Sequence, residues 1–192
     1  MPKKTRLIFS TPMIQALLAG AKTQTRRLRF EGSDEIWVKE VFADAPPVLA
    51  AELNHPYIYK TDMALYGNHP SAEHIRWKSP LFMPDKAVRI KIPVKSVRVE
   101  RLQNITVSDA ISEGIETKEC ADALGNPYEG YRNYSHKASD PPEYMWLFSP
   151  ILAYRSLWNV LHPQSPNNWE SNPSIYAISF ENLLHLPPYN NK

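Results

Sequence analysis

The chain has 192 residues, of which 43% are hydrophobic and 22% are charged, and its formal net charge is +2. This composition excludes a disordered or fibrous protein, and a net charge so close to zero does not by itself indicate a nucleic-acid partner. No apolar run approaches membrane-spanning length and no secretory signal is evident, so we expect a cytoplasmic protein without a membrane partner.

The first predicted elements are a short strand over 6–9 and a helix over about 12–19. Thr11 is expected to cap the helix, Pro12 suits its first turn, and Gly20 ends it, because glycine adopts the left-handed conformation readily. The polar segment from Lys22 to Arg27 follows directly. A polar segment on a short connection beside a packed helix is a typical place for a functional site.

Further along, alternating apolar and β-branched residues predict strands over 36–42, 57–60 and 175–180. The clearest alternation runs over 87–101, and it changes parity near Lys95. Such a change indicates a bulge or bend, and a long bent strand favours a small barrel over a flat open sheet. We therefore expect a mixed α+β fold built around a small β-barrel.

Two more helices are predicted, over about 107–113 and 150–161. Thr106 and Asp109 stand at near-capping-box spacing at the start of the first, and Ser149-Pro150 caps the second, whose apolar face includes Tyr154. Irregular sequence over about 43–80 and 116–148 is expected to form two insertions in a single domain of 1–192. The last residues, about 186–192, are expected to be a flexible tail. No metal site is predicted, since Cys120 is the one cysteine and the histidines of the first insertion are spaced irregularly. They are His55, His69 and His74.

Lys22, Thr25 and Glu113 are the residues that we expect to carry chemistry. A threonine hydroxyl becomes a nucleophile when a base takes its proton, and a lysine becomes that base when burial or a nearby cation lowers its pKa. Glu113 stands at the end of a predicted helix, where the helix dipole disfavours a carboxylate. Either a nearby cation compensates for it or it serves a site. The alternative is that Lys22 belongs to a solvated basic edge without a catalytic role and that Thr25 packs on a strand.

Basic residues of the Lys22–Arg27 segment and of the long strand form a second candidate feature. They are expected to line a positive groove in which aromatic side chains stack on bases. The alternative is an ordinary solvated face. The residues that we assign to substrate or RNA binding are Arg26, Arg27, Trp37, Lys39, Arg89 and Lys91.

The stretch LLAGAKTQTRR resembles the motif of ASCH-domain proteins, relatives of the PUA RNA-binding barrel, in which a helix ends in Gly-x-Lys-x-x-(Thr/Glu)-x-Arg. Later segments, among them SDEIWVKEVFA and SPILAYRSLWNVL, are similar to a longer ASCH-like group found in phages and prophages. The resemblance covers about 6–181. It implies a PUA-like mixed barrel with short flanking helices.

One branch of that family is an amidohydrolase that removes the acetyl group from N4-acetylcytidine. The resemblance implies that Lys22, Thr25 and Glu113 are its catalytic set here, with no metal and no cofactor. This chain differs from that branch in its two long insertions. Two hypotheses follow: an RNA- or nucleoside-directed enzyme that hydrolyses an N4-acyl amide, and a non-catalytic module that binds single-stranded RNA in the same groove.

Overall fold

The computed structural model describes residues 3–67, 69 and 75–181. Within them it contains ten strands and five helices, which confirms the mixed α+β class. The strands are β1 (Lys4–Ile8), β2 (Gln24–Arg27), β3 (Glu35–Lys39), β4 (Phe42–Asp44), β5 (Tyr57–Tyr59), β6 (Lys91–Arg101), β7 (Thr117–Ala121), β8 (Pro127–Arg132), β9 (Trp146–Leu147) and β10 (Ser174–Phe180). The helices are α1 (Thr11–Leu18), α2 (Pro47–Leu53), α3 (Met63–Tyr66), α4 (Val107–Ser112) and α5 (Pro150–Leu161).

Contacts along the chain gather into two compact units. The first comprises the described residues of Met1–Gly20, Glu31–Val94 and Glu181–Lys192, and the second comprises Ala21–Phe30 and Lys95–Phe180. This division leaves the expected single domain of 1–192 a prediction. The expected tail at 186–192 lies outside the described residues, as does His74.

In the first unit, β1 runs parallel to β3, and β3 pairs antiparallel with the start of β6 through Ile36 and Ile92. Both of these isoleucines are fully buried, as are Ile14 and Leu17 on the inner face of α1. The apolar stripe of α1 and the apolar face of this sheet are therefore both removed from water, which stabilises the fold.

The predicted strand over 36–42 is two strands. It breaks at Glu40, whose buried carboxylate accepts hydrogen bonds from the guanidinium of Arg89. Beyond the break, β4 changes partner and pairs antiparallel with β5. The first insertion is consequently not irregular throughout, because it contains β4, β5, α2 and α3.

In the second unit, β2 pairs antiparallel with β10, and α4, α5 and β10 enclose one core. The prediction that 116–148 is irregular is wrong, because this segment contains the three-stranded antiparallel sheet β7-β8-β9; that it is an insertion stays a prediction. The tight turn of its hairpin is fixed by Asp122, whose carboxylate accepts from the amides of Leu124 and Asn126. Gly125 supplies the positive φ of +84° that such a turn needs.

The long predicted strand begins at Lys91 rather than at residue 87, because Asp85–Ala87 form a 3₁₀ turn. The pairings of the described strands close no barrel. None of the described helices has the length and apolar character required to span a bilayer.

Candidate active site

The connection between α1 and β2 is held by backbone hydrogen bonds on both sides. Ser10 is the N-cap of α1 in place of the predicted Thr11, and the chain turns at Gly20 with a φ of +72°. The amide of Thr23 then donates to the carbonyl of Ser112 over 2.9 Å, and the Thr23 carbonyl accepts from Phe180 over 3.0 Å. This segment is therefore fixed against the end of α4 and the end of β10.

Lys22 is buried, with 3% of its surface exposed. Its ammonium nitrogen Nζ donates to the backbone carbonyl of Glu113 over 2.7 Å and to Oε2 of the same residue over 3.0 Å. Burial lowers the pKa of Lys22, the negative charge of Glu113 opposes that effect, and the positive charges of Arg27 and Arg26 add to it. The net direction is downward, towards a neutral amine.

Glu113 is the C-cap of α4, and its carboxylate is shared between two cations. Oε2 faces Lys22, and Oε1 accepts from Nη1 of Arg26 over 3.1 Å. A carboxylate at a helix C-terminus is unfavourable in isolation. The two cations offset this cost, which is one of the two alternatives that the sequence left open for Glu113. Lys22 and Glu113, 91 residues apart in the chain, share one buried cluster.

Arg26 is the centre of this cluster, and its side chain has no exposed surface. Its guanidinium donates to Oε1 of Gln24 and to Oε1 of Glu100, and it lies 3.3 Å from Oδ2 of Asp109. Arg26 Nε has no hydrogen-bond partner among the described residues. The two terminal nitrogens of this buried guanidinium have three carboxylate neighbours, which hold it in place because a buried positive charge is costly to leave unpaired.

Asp109 contacts both the buried Arg26 and the exposed Arg98. Its partial burial acts to raise its pKa, but hydrogen bonds from Arg98 and Gln24 outweigh this and hold the pKa well below the usual range. Its other oxygen closes the capping box of α4 by accepting from the amide and hydroxyl of Thr106. Asp109 is therefore ionised at neutral pH and serves both the helix and the ion pairs.

Thr25 is buried in β2 and pairs with Ile178 of β10. Its hydroxyl makes no hydrogen bond with any described residue. Because successive side chains of a strand alternate, Thr25 faces away from Gln24 and Arg26. The structure thus brings Lys22 and Arg26 into contact with Glu113, whereas no hydrogen bond joins Thr25 to any of the three among the described residues.

Two further side chains belong to the electrostatics of the cluster. Burial lowers the pKa of Arg27, although Glu113 and Tyr154 oppose the effect. Burial raises the pKa of Tyr154 well above its usual value, and the Tyr154 ring centroid lies 5.8 Å from Cζ of Arg26. Tyr154 is therefore a neutral, apolar wall that keeps the local dielectric low.

Sequence reasoning missed the residues that surround Lys22 and Glu113. Tyr154 was predicted on the apolar face of a helix, and it is a buried residue of α5 in the structure. The capping-box spacing identified Asp109 only as a helix residue, and nothing in the sequence marked its second role. The missed residues are Gln24, Glu100, Asp109 and Tyr154.

The predicted positive groove needs correction at Arg26 and Arg89. Arg26 is buried among carboxylates, and Arg89 is paired with Glu40 and Asp62 while its guanidinium stacks 3.9 Å from the centroid of the Tyr59 ring. Neither presents a solvated cation, because each has acidic partners that are distant in sequence. Arg89 lies in the first unit and Arg26 in the second.

Three other residues assigned to binding also lie in the first unit. Nζ of Lys91 is 4.4 Å from the centroid of the Trp37 ring, and Trp37 Nε1 donates to Glu35. Lys39 Nζ donates to the carbonyl of Leu81 over 3.4 Å. Their assignment to substrate or RNA stays a prediction.

Among the described residues, no group of three or more His, Cys, Asp and Glu side chains is arranged to hold a metal ion. Comparisons with protein-family models, with curated proteins and with solved structures gave no match.

Proposed function

We propose that the chain is an amidohydrolase of ASCH type that acts on RNA or on modified nucleosides and removes the N4-acyl group of an acetylated cytosine. The observation that carries the proposal is the burial of Lys22, which lowers its pKa while Glu113 holds its amine in place. A lysine that is neutral part of the time near pH 7 is a competent general base.

In the proposed reaction, Thr25 Oγ1 attacks the acyl carbonyl carbon while Lys22 Nζ takes the hydroxyl proton. The carbon–nitrogen bond then breaks, and the Lys22 ammonium returns the proton to the departing exocyclic amine. Water then attacks the acetyl ester on Thr25 while Lys22 Nζ takes its proton. The bond from the acyl carbon to Thr25 Oγ1 breaks, the Lys22 ammonium returns the proton to Oγ1, and acetic acid leaves. The sum is amide plus water giving amine plus carboxylic acid, with Lys22 and Thr25 restored.

Glu113 orients the base in this scheme. Two acceptors of one residue, its carbonyl and its carboxylate, fix the position of Nζ, and Arg26 fixes the carboxylate in turn. The catalytic lone pair of the neutral amine is then presented in one direction. The scheme also requires Thr25 to come within hydrogen-bond reach of Nζ when substrate is bound, as catalytic contacts in free enzymes often tighten in the complex.

The resemblance to ASCH proteins belongs to the same proposal, and with it the PUA-like barrel. The alternative hypothesis, a non-catalytic RNA-binding module, needs exposed cations in an open groove. The burial of Arg26 and the ion pairs of Arg89 weigh against that groove.

The decisive experiment is incubation of the protein with N4-acetylcytidine and related acylated nucleosides, with release of cytidine followed by chromatography. We expect turnover by the parent, none by Lys22→Arg, and an acetylated Thr25 peptide in quenched reactions. Lys137→Arg, a substitution of an exposed lysine, is the matched control and should leave the rate unchanged. Turnover by Lys22→Arg at the parental rate would refute the general-base role, because arginine stays protonated.

A further inference from the structure

The first unit contains an open groove of about 650 Å³ that no part of the proposed reaction uses. Its walls are unusually rich in aromatic rings, and a lysine and an aspartate lie among them. This volume falls within the range of small-molecule sites in proteins. The lining residues that matter here are Phe42, Tyr57, Trp77, Phe82, Lys78 and Asp44.

The floor of the groove is rigid. Phe42 and Tyr57 are buried in one apolar cluster, with their ring centroids 6.1 Å apart in an edge-on arrangement. The backbone of Phe42 exchanges hydrogen bonds in both directions with Lys78, over 3.4 Å and 2.7 Å. The floor of the groove is therefore held in place by contacts within the protein itself.

Phe82 behaves differently from these rings, because 77% of its surface is exposed. It ends the 3₁₀ turn Pro80–Phe82, where its amide donates to the Ser79 carbonyl over 3.0 Å. Covering this exposed aromatic ring with a ligand is favourable in free energy, because apolar surface is then removed from water. Trp77, half-buried, lines the same groove.

The charges around the groove favour an anionic ligand. Lys78 is paired with Asp44, and Lys86 Nζ lies 5.8 Å from the centroid of the Tyr57 ring. The nearby carboxylate of Asp85 accepts hydrogen bonds from Lys4 and Arg6, so its charge is neutralised. Lys86 consequently adds an exposed positive charge to an aromatic groove.

We propose that this groove binds a base of single-stranded RNA, which stacks on Phe82 and Trp77 while Lys86 contacts a flanking phosphate. Aromatic surfaces next to lysines are the combination by which proteins hold single-stranded nucleic acid, because every base has a π face and every linkage carries a negative charge. The site lies wholly in the first unit and does not depend on the proposed hydrolysis. In this proposal Phe82, Trp77 and Lys86 bind RNA in place of Arg26 and Arg89.

The test is fluorescence anisotropy of a labelled eight-nucleotide oligouridylate or oligoadenylate titrated with the full chain at several salt concentrations. Phe82→Ala should weaken binding by about 5- to 100-fold, the usual effect of losing one stacking ring. Lys86→Glu should reduce the slope of log affinity against log salt by about 0.7, the value of one phosphate contact to a single strand.

Two exposed residues of the second unit give matched controls, Phe148→Ala and Lys137→Glu. Both should bind RNA as the parent does. Circular dichroism and the melting temperature establish that Phe82→Ala is folded, which its exposure favours, and Lys86→Glu provides an independent surface variant. The proposal is overturned if Phe82→Ala binds like the parent or if Phe148→Ala loses as much affinity. It is also overturned if a proline-rich peptide, the other usual ligand of aromatic grooves, binds in a Phe82-dependent manner while RNA does not.

Discussion

Replacing Lys22 with methionine tests the electrostatics of the site through protein stability. The side chain keeps a similar length but loses the two hydrogen bonds from Nζ to Glu113, one to the carbonyl and one to the carboxylate. Leaving the buried carbonyl without this donor, while Arg26 still holds Oε1, costs about 1–3 kcal/mol of unfolding free energy. That loss applies at every pH at which the amine donates.

The difference in unfolding free energy between the parent and Lys22→Met should also depend on pH, and this dependence is the more specific test. Burial lowers the pKa of Lys22 in the folded chain, so over the range between this lowered value and about 10.4 the unfolded chain binds more protons than the folded one. The stability of the parent must then rise with pH across that range, by up to about 1.4 kcal/mol per pH unit for one proton. Lys22→Met lacks the group, so its deficit relative to the parent should widen as pH rises.

The measurement is urea unfolding of the parent, of Lys22→Met and of the exposed control Lys137→Met at pH 7, 8 and 9. Other titrating groups are common to all three chains and cancel in the differences. We expect the Lys22→Met difference to grow with pH and the Lys137→Met difference to stay flat. A Lys22→Met difference independent of pH would show that Lys22 stays fully charged when folded, and would remove the physical basis of the proposed general base.

Substitutions at three other positions test further features of the structure. Glu40→Ala should destabilise the first unit by about 3 kcal/mol in urea unfolding, because the guanidinium of Arg89 loses a buried partner; an unchanged midpoint would contradict the importance of this ion pair. Gly130→Ala should cost about 1–3 kcal/mol, since a Cβ there would lie 2.6 Å from Sγ of Cys120, and an unaltered melting curve would show that the sheet yields at little cost. Thr25→Ala should abolish release of cytidine, whereas Thr25→Ser should retain part of the rate; turnover by Thr25→Ala would exclude the nucleophile role.

Local signals in the sequence predicted the helices well. The capping box of Thr106 and Asp109 and the Ser149 cap before Pro150 are present, and the predicted helices over 12–19, 107–113 and 150–161 agree with the structure to within one residue. These features depend on neighbours one to four positions away, so a single sequence contains them. The three strands over 116–148 depend instead on pairing between segments, and their alternation was hidden among polar residues and tyrosines.

The site was predicted only in part for the same reason. The motif pointed to Lys22 and Glu113, but the ion pairs of Arg26 and Arg89 reach carboxylates 74 and 49 residues away. A run of cations is by default solvated, and only the fold shows which cations are buried against acids. The carboxylate partners of Arg26 and Arg89 therefore weigh against the expectation that these two residues line a positive groove.

Helix α4 has six residues, far too few to be stable alone in water. One guanidinium, that of Arg26, contacts a carboxylate at each end of it, Asp109 in the first turn and Glu113 after the last. One residue of strand β2 therefore contacts both ends of the helix. We expect that the helix does not fray at one end while the other end stays folded. Amide hydrogen exchange across α4, and at Thr23, which donates to the carbonyl of Ser112, should proceed at one common rate as a single opening event.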